Sequence, residues 1–157
     1  MGSDLKMKAL TLLSITLFYG CIWTEAQKCN LLGQWKNTLG SNMTIESVSQ
    51  NGEFTGTYFT AVSLTNSTIL KSPLTGYQKI SEQPTFGFTV NWTFSDSITV
   101  WAGQCFGNEK GKEILLTTWL LRSSQKTEQD NWIGTRVGAD TFTRLTKSKS
   151  HKELDLL

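Results

Sequence analysis

Strand-like runs rich in Thr, Val, Phe, Tyr and Trp recur every ten to fifteen residues along this chain, each bounded by turn-forming residues. The punctuation is Leu39-Gly40-Ser41, Gln50-Asn51-Gly52, Ser72-Pro73, Phe94-Ser95-Asp96 and Asn108-Glu109-Lys110-Gly111. Eight strands are predicted, near 32–38, 41–49, 53–62, 65–71, 85–93, 97–106, 112–122 and 139–146. Helical period is absent over any useful length, apart from a turn near Asp130 to Gly134. Short strands at regular spacing select an all-β sandwich or barrel. Short consecutive turns favour an up-and-down meander, and eight strands suit a closed antiparallel barrel with room for one small ligand.

The two ends of the chain stand apart from this pattern. Lys6 and Lys8 precede an apolar run from Ala9 to Trp23, and Thr24 and Ala26 follow where a signal peptidase requires small residues. Residues 1–26 are predicted to be a secretory signal peptide, because the run is short for the ~30 Å of a bilayer core and lacks a stop-transfer flank. No other stretch is apolar enough to cross a membrane. The barrel is then residues 27–146, and the Lys- and Ser-rich tail 147–157 is predicted to be disordered. A net charge of +2, dispersed along the chain, gives no footprint for nucleic acid or a membrane surface.

Of the three cysteines, Cys21 leaves with the signal peptide. Cys29 and Cys105 make an even count in an oxidising extracellular compartment, and one disulfide is predicted between them. Closing so long a loop contributes roughly 4 kcal/mol in the chain-entropy description. Among three Asn-x-Ser/Thr sequons, Asn42 and Asn66 lie beside turn signals and are candidate glycan sites, whereas Asn91 lies inside a strand pattern. His151, the single histidine, lies in the tail, and no Cys/His cluster, phosphate loop or nucleophile elbow is present. Metal-dependent and triad chemistry are not predicted.

The segment VNWTFSDSITVW, residues 90–101, is the least ordinary strand signal. Ser97, Thr99 and Trp101 share one face, while Ile98 and Val100 share the other, so both faces carry apolar groups. A half-buried strand separates apolar from polar more cleanly. In a meander, the ends of odd strands and the starts of even strands meet at one rim. That rim would collect Asn37, Ser41, Tyr58, Thr60, Ser63, Thr65, Trp92, Ser97, Thr99, Trp101, Trp119, Leu121 and Asp140. The opposite end would hold Met43, Ile45, Phe54, Phe86, Phe88, Leu115 and Phe142 as filled core. Aromatic walls with a few fixed polar groups are what a pocket for a small, partly polar molecule requires. The alternative leaves Ser97 and Thr99 facing water with Ile98 and Val100 inside.

At these residues the chain resembles the avidin/streptavidin family of biotin-binding proteins. The resemblance rests on LGSNMTI (39–45), GEFTGTY (52–58), QPTFGFTVNW (83–92), GQCF (103–106), WLLRSS (119–124) and TRVG (135–138), in order across nearly the whole chain after the signal peptide. It implies an eight-stranded antiparallel barrel, usually assembled as a homotetramer, with biotin as a bound ligand and no catalysis or cofactor. By this resemblance Asn37, Ser41 and Tyr58 would donate to the ureido oxygen, and Thr60 and Asp140 would accept from the ureido N–H groups. Thr99 would meet the thioether sulfur. Trp92, Trp101 and Trp119 would wall the bicyclic ring, with Phe94 and Leu121 beside them. Ser63, Ser95, Ser97 and the backbone of Leu64 and Thr65 would meet the valerate carboxylate. Trp132 would cover the pocket of a neighbouring subunit. Asp140 and Trp101 follow the bacterial branch of the family, and the loop 61–65 departs most from the family pattern.

Three other functions compete on the residues alone. An extracellular hydrolase would need a base beside Asp140, and no histidine or second carboxylate is placed to serve. A lipocalin-like carrier of another small ligand would not need Asn, Ser, Tyr, Thr and Asp at one rim. A glycoprotein scaffold with a degenerate pocket is the third.

Overall fold

The computed structural model describes residues 28–61, 70–108 and 110–145. The signal-peptide segment 1–26, the tail 147–157 and the site candidates Ser63, Leu64, Thr65 and Asn66 lie outside the described residues. Eight strands follow one another: β1 (Gly33–Asn37), β2 (Asn42–Val48), β3 (Glu53–Phe59), β4 (Ser72–Gln78), β5 (Thr85–Asn91), β6 (Ser97–Gly107), β7 (Glu113–Ser123) and β8 (Thr135–Arg144). A 3-10 helix, Glu128–Ile133, lies between β7 and β8. Each strand pairs antiparallel with the next, and β8 returns to β1 through Lys36↔Thr143 and Asn37↔Phe142. The barrel is closed, so no strand edge is left to pair with another chain.

Four strands differ in their bounds from the sequence-based expectation. The fourth strand is Ser72–Gln78 rather than 65–71, most of which falls outside the described residues. Ser72-Pro73 begins this strand instead of forming a turn. Pro73 stands opposite Thr57 at the strand's second position, where a missing N–H is tolerated. The eighth strand begins at Thr135 rather than 139, because the long β7 provides partners up to Arg122↔Thr135. Trp92 and Thr60, expected inside strands, lie just beyond the ends of β5 and β3. Asn91 is the exposed last residue of β5.

The parity question in 97–101 is settled by the pleat. Thr99 and Trp101 are buried inward, whereas Ile98 and Val100 are 43% and 42% exposed on the outer face. Met43, Ile45, Phe54, Phe86, Phe88, Leu115 and Phe142 fill one end as a continuous core. Phe86, Phe88, Trp101 and Tyr58 form a stacked column up the barrel axis, with successive centroids 6.2, 4.9 and 5.2 Å apart. Such offset aromatic contacts add to simple area burial.

The filled end is sealed by Arg144. Its guanidinium lies 3.9 Å over the fully buried Trp35 ring, pairs with Glu113, and donates to the carbonyls of Asn30 and Leu32. Glu113 in turn accepts from the Asn30 N–H at 2.7 Å. The predicted disulfide is present: Cys29–Cys105, with 5.8 Å between Cα atoms, fastens the same N-terminal stretch to β6. Arg144→Ala leaves a half-buried carboxylate and two carbonyls without their donor. It is expected to lower the unfolding free energy by about 2–4 kcal/mol with an unchanged denaturant slope. A loss below about 0.5 kcal/mol in equilibrium urea unfolding contradicts the sealing role.

Candidate binding site

The end opposite Arg144 is open and holds a cavity of about 680 Å³, within the size range of small-molecule pockets. Its polar side chains come from strand ends and from inward positions of β6 and β8. Asn37 ends β1, and its Oδ1 accepts from the N–H groups of Leu39 and Ser41 at 3.1 and 2.8 Å. This Asx-type turn uses the acceptor half of the amide and leaves Nδ2 to face Tyr58, 3.4 Å from the hydroxyl. Ser41 Oγ accepts from the Ala61 N–H at 3.0 Å. Burial, and then the nearby carboxylate of Asp140, push the Tyr58 hydroxyl well above the ordinary phenol range, against a smaller opposite pull from Ser41. Tyr58 is therefore a protonated donor at any ordinary pH.

Asp140 is buried at the cavity floor. Oδ2 accepts from the indole N–H of Trp101 at 3.2 Å, while Oδ1 is buried and has no hydrogen-bond partner among the described residues. Thr117 donates to the Asp140 backbone carbonyl and holds that stretch of β8 against β7. Thr99 Oγ1 accepts from the Trp92 indole N–H at 2.8 Å, so its own hydrogen remains available to the cavity. Thr60 is buried beside these groups. A buried polar atom left unpaired costs roughly 1–3 kcal/mol. The floor thus stores an uncompensated acceptor beside three oriented donors.

The walls are aromatic. Trp92 meets Tyr58 edge-on and leans against Phe94 at 5.6 Å in each case, and Trp101 stacks on Tyr58. Trp119 and Leu121 rise from β7 toward the opening, where Ser95 and Ser97 share a 2.6 Å hydrogen bond across the β5–β6 turn. Gly138 stands opposite Trp119 in the ladder. A Cβ there would lie 2.4 Å from the indole, so only glycine lets the ring lie flat across β8.

Of the residues predicted from sequence, the cavity gathers Asn37, Ser41, Tyr58, Thr60, Trp92, Phe94, Ser95, Ser97, Thr99, Trp101, Trp119, Leu121 and Asp140. Trp132 does not line it; the ring is 82% exposed on the 3-10 helix. Asn42 is exposed at the start of β2. The cavity also takes in Leu39, Asp96, Lys126 and Arg136. Arg136 shares the parity of Asp140, and that signal was hidden by starting the last strand at 139. Leu39 sits within the β1–β2 turn, where strand parity carries no information.

Gly138→Val is expected to displace the Trp119 indole, with an overpacking cost of about 1–3 kcal/mol and a changed near-ultraviolet circular dichroism spectrum. An unaltered spectrum and melting temperature contradict the packing described here.

The comparisons with known proteins agree with this architecture. The sequence pattern of the Avidin family matches residues 25–145. Avidin of Gallus gallus is 54% identical over 143 residues, which span 89% of this chain and 94% of that protein. Among solved structures, the crystal structure of Xenavidin is similar at 82% identity and a TM-score of 0.73, covering 76% of this chain and 100% of that one. The X-ray structure of a biotin binding protein from chicken follows at 53% identity and a TM-score of 0.73, covering 76% of this chain and 98% of that one. With family sequence, closed eight-stranded barrel and walled cavity in agreement, this chain belongs to the avidin family.

Proposed function

We propose that this protein is a secreted binder that holds biotin non-covalently in the open end of the barrel and does not turn it over. The observation that carries this reading is the floor itself. The unpaired, buried Oδ1 of Asp140 lies in the same cavity as the donors Asn37, Ser41 and Tyr58. A cyclic urea offers the complement: one oxygen that accepts from converging donors and two N–H groups that donate. Asn37, Ser41 and Tyr58 take the oxygen, and Thr60 and Asp140 take the N–H groups. Three fixed donors favour charge on that oxygen much as an oxyanion hole does. Protonated Tyr58 and the turn-oriented Asn37 amide support the donor assignment. The carboxylate acceptor makes the stronger, charge-assisted bond.

Thr99 meets the thioether, and Trp92, Trp101, Trp119, Phe94 and Leu121 bury the rings. The valerate carboxylate falls to Ser95 and Ser97, with Ser63, Leu64 and Thr65 as further contacts. The exposed outer apolar residues Ile98, Val100, Leu116, Leu120 and Val137 support assembly into a homotetramer, because a sheet face this apolar is otherwise an aggregation hazard. Trp132, exposed in the single chain, covers a neighbour's pocket in that assembly. Asn42 and Asn66 carry glycans.

Biotin is expected to quench tryptophan fluorescence and to raise the melting temperature, since a ligand at 1,000 times its Kd adds about 4 kcal/mol to the bound fold. Unchanged melting at saturating biotin rejects the reading. Asp140→Ala, which removes the charged acceptor, is expected to weaken binding about 10- to 150-fold with the fold retained. Affinity equal to that of the unsubstituted protein removes Asp140 from the site. Trp132→Lys is expected to hasten biotin release and reduce the oligomer mass in sedimentation; unaltered release rates reject the intersubunit role.

A further inference from the structure

The charges in the cavity are arranged along its axis. Asp140 lies buried at the floor, while Arg136 lies four residues nearer the opening on the same inward parity of β8. At about 3.4 Å per residue that is a rise of roughly 14 Å along the strand. Arg136 stands opposite Leu121, and Asp140 opposite Thr117, so the apolar wall lies between the two charges. Lys126, in the segment after β7, reaches the same rim. No ion pair joins either cation to a described carboxylate. Among the described residues, the single acidic side chain lining that rim is Asp96, so Lys126 and Arg136 leave it with a net charge of +1 (two cations less one carboxylate). Glu128 flanks Lys126 in an adjoining cleft but does not line the cavity, and Arg122 is turned away to Asn131 and Thr135.

We infer that Lys126 and Arg136 make the barrel mouth selective for ligands bearing an anionic tail, by steering the carboxylate inward during association. The inference rests on the biotin reading and adds to it a specificity that the floor residues cannot supply. Both cations are exposed, and exposed charge pairs contribute little to affinity. Fixed charges around a low-dielectric cleft act instead on encounter, raising the association rate in a salt-dependent way. The axial order of negative floor, apolar wall and positive rim matches a molecule with an N–H-donating head, an aliphatic middle and an anionic end.

The test compares stopped-flow association of free biotin with that of biotin methyl ester, which keeps the head and loses the charge. The two ligands are measured against the unsubstituted protein and the K126E/R136E variant, at about 20 mM and about 500 mM salt. At low salt the variant is expected to take up free biotin about three- to tenfold more slowly, with the ester rate unchanged and the difference collapsing at high salt. Equal responses of acid and ester, or no slowing of the acid, overturn the inference while leaving the biotin site standing. Should neither ligand quench fluorescence in the unsubstituted protein, the biotin reading falls and this inference with it. K126Q/R136Q, which neutralises without reversing, is expected to give a smaller slowing of the same sign, and its absence counts against steering.

Discussion

The return of β8 to β1 is the contact on which the rest of the molecule depends. It closes the barrel, and it aligns on one inward column Arg136, Gly138, Asp140, Phe142 and Arg144. Four members of that column each meet a defined neighbour. Arg144 lies over Trp35 at the sealed end, Phe142 packs edge-on against Tyr58, Asp140 receives the Trp101 indole, and Gly138 leaves space for Trp119. A slip of one residue in this strand would turn the whole column outward. Core, floor and wall therefore share a single register.

That register separates two kinds of burial. Toward Arg144 the interior is apolar and filled, and it supplies the hydrophobic driving force for folding. Toward the opening, polar groups are held by bonds to the backbone and to one another: Asn37 by its turn, Ser41 by Ala61, Thr99 by Trp92. Rigid placement of this kind lowers the ordering cost that binding would otherwise incur. The unpaired oxygen of Asp140 is then a local cost, set against the burial of a filled core and a disulfide.

Much of this was legible in the sequence because alternation survives wherever a strand has a wet face and a packed one. The burial of Thr99 and Trp101 and the exposure of Ile98 and Val100 follow from parity once the strand is placed. The fourth strand was harder to see, for a physical reason. It carries Pro73, which reads as a turn, and Gly76, where a Cβ would meet the Gly87 carbonyl at 2.3 Å and the Phe54 ring at 2.6 Å. Close packing requires the residue that erases the strand signal. Arg136 and Lys126 were missed because they belong to the rim, where charge reads as ordinary surface. Trp132 stands exposed on a short 3-10 helix, where strand parity carries no information.

The most direct test of the central claim, a floor arranged in advance of its ligand, is a pair of crystal structures with and without biotin. The ureido oxygen is expected within hydrogen-bonding distance of Asn37, Ser41 and Tyr58, the Oδ1 of Asp140 engaged by an N–H, and these side chains displaced by less than about 1 Å between the two states. Biotin seated elsewhere, or floor residues that reach their partners only after rearranging, would contradict it.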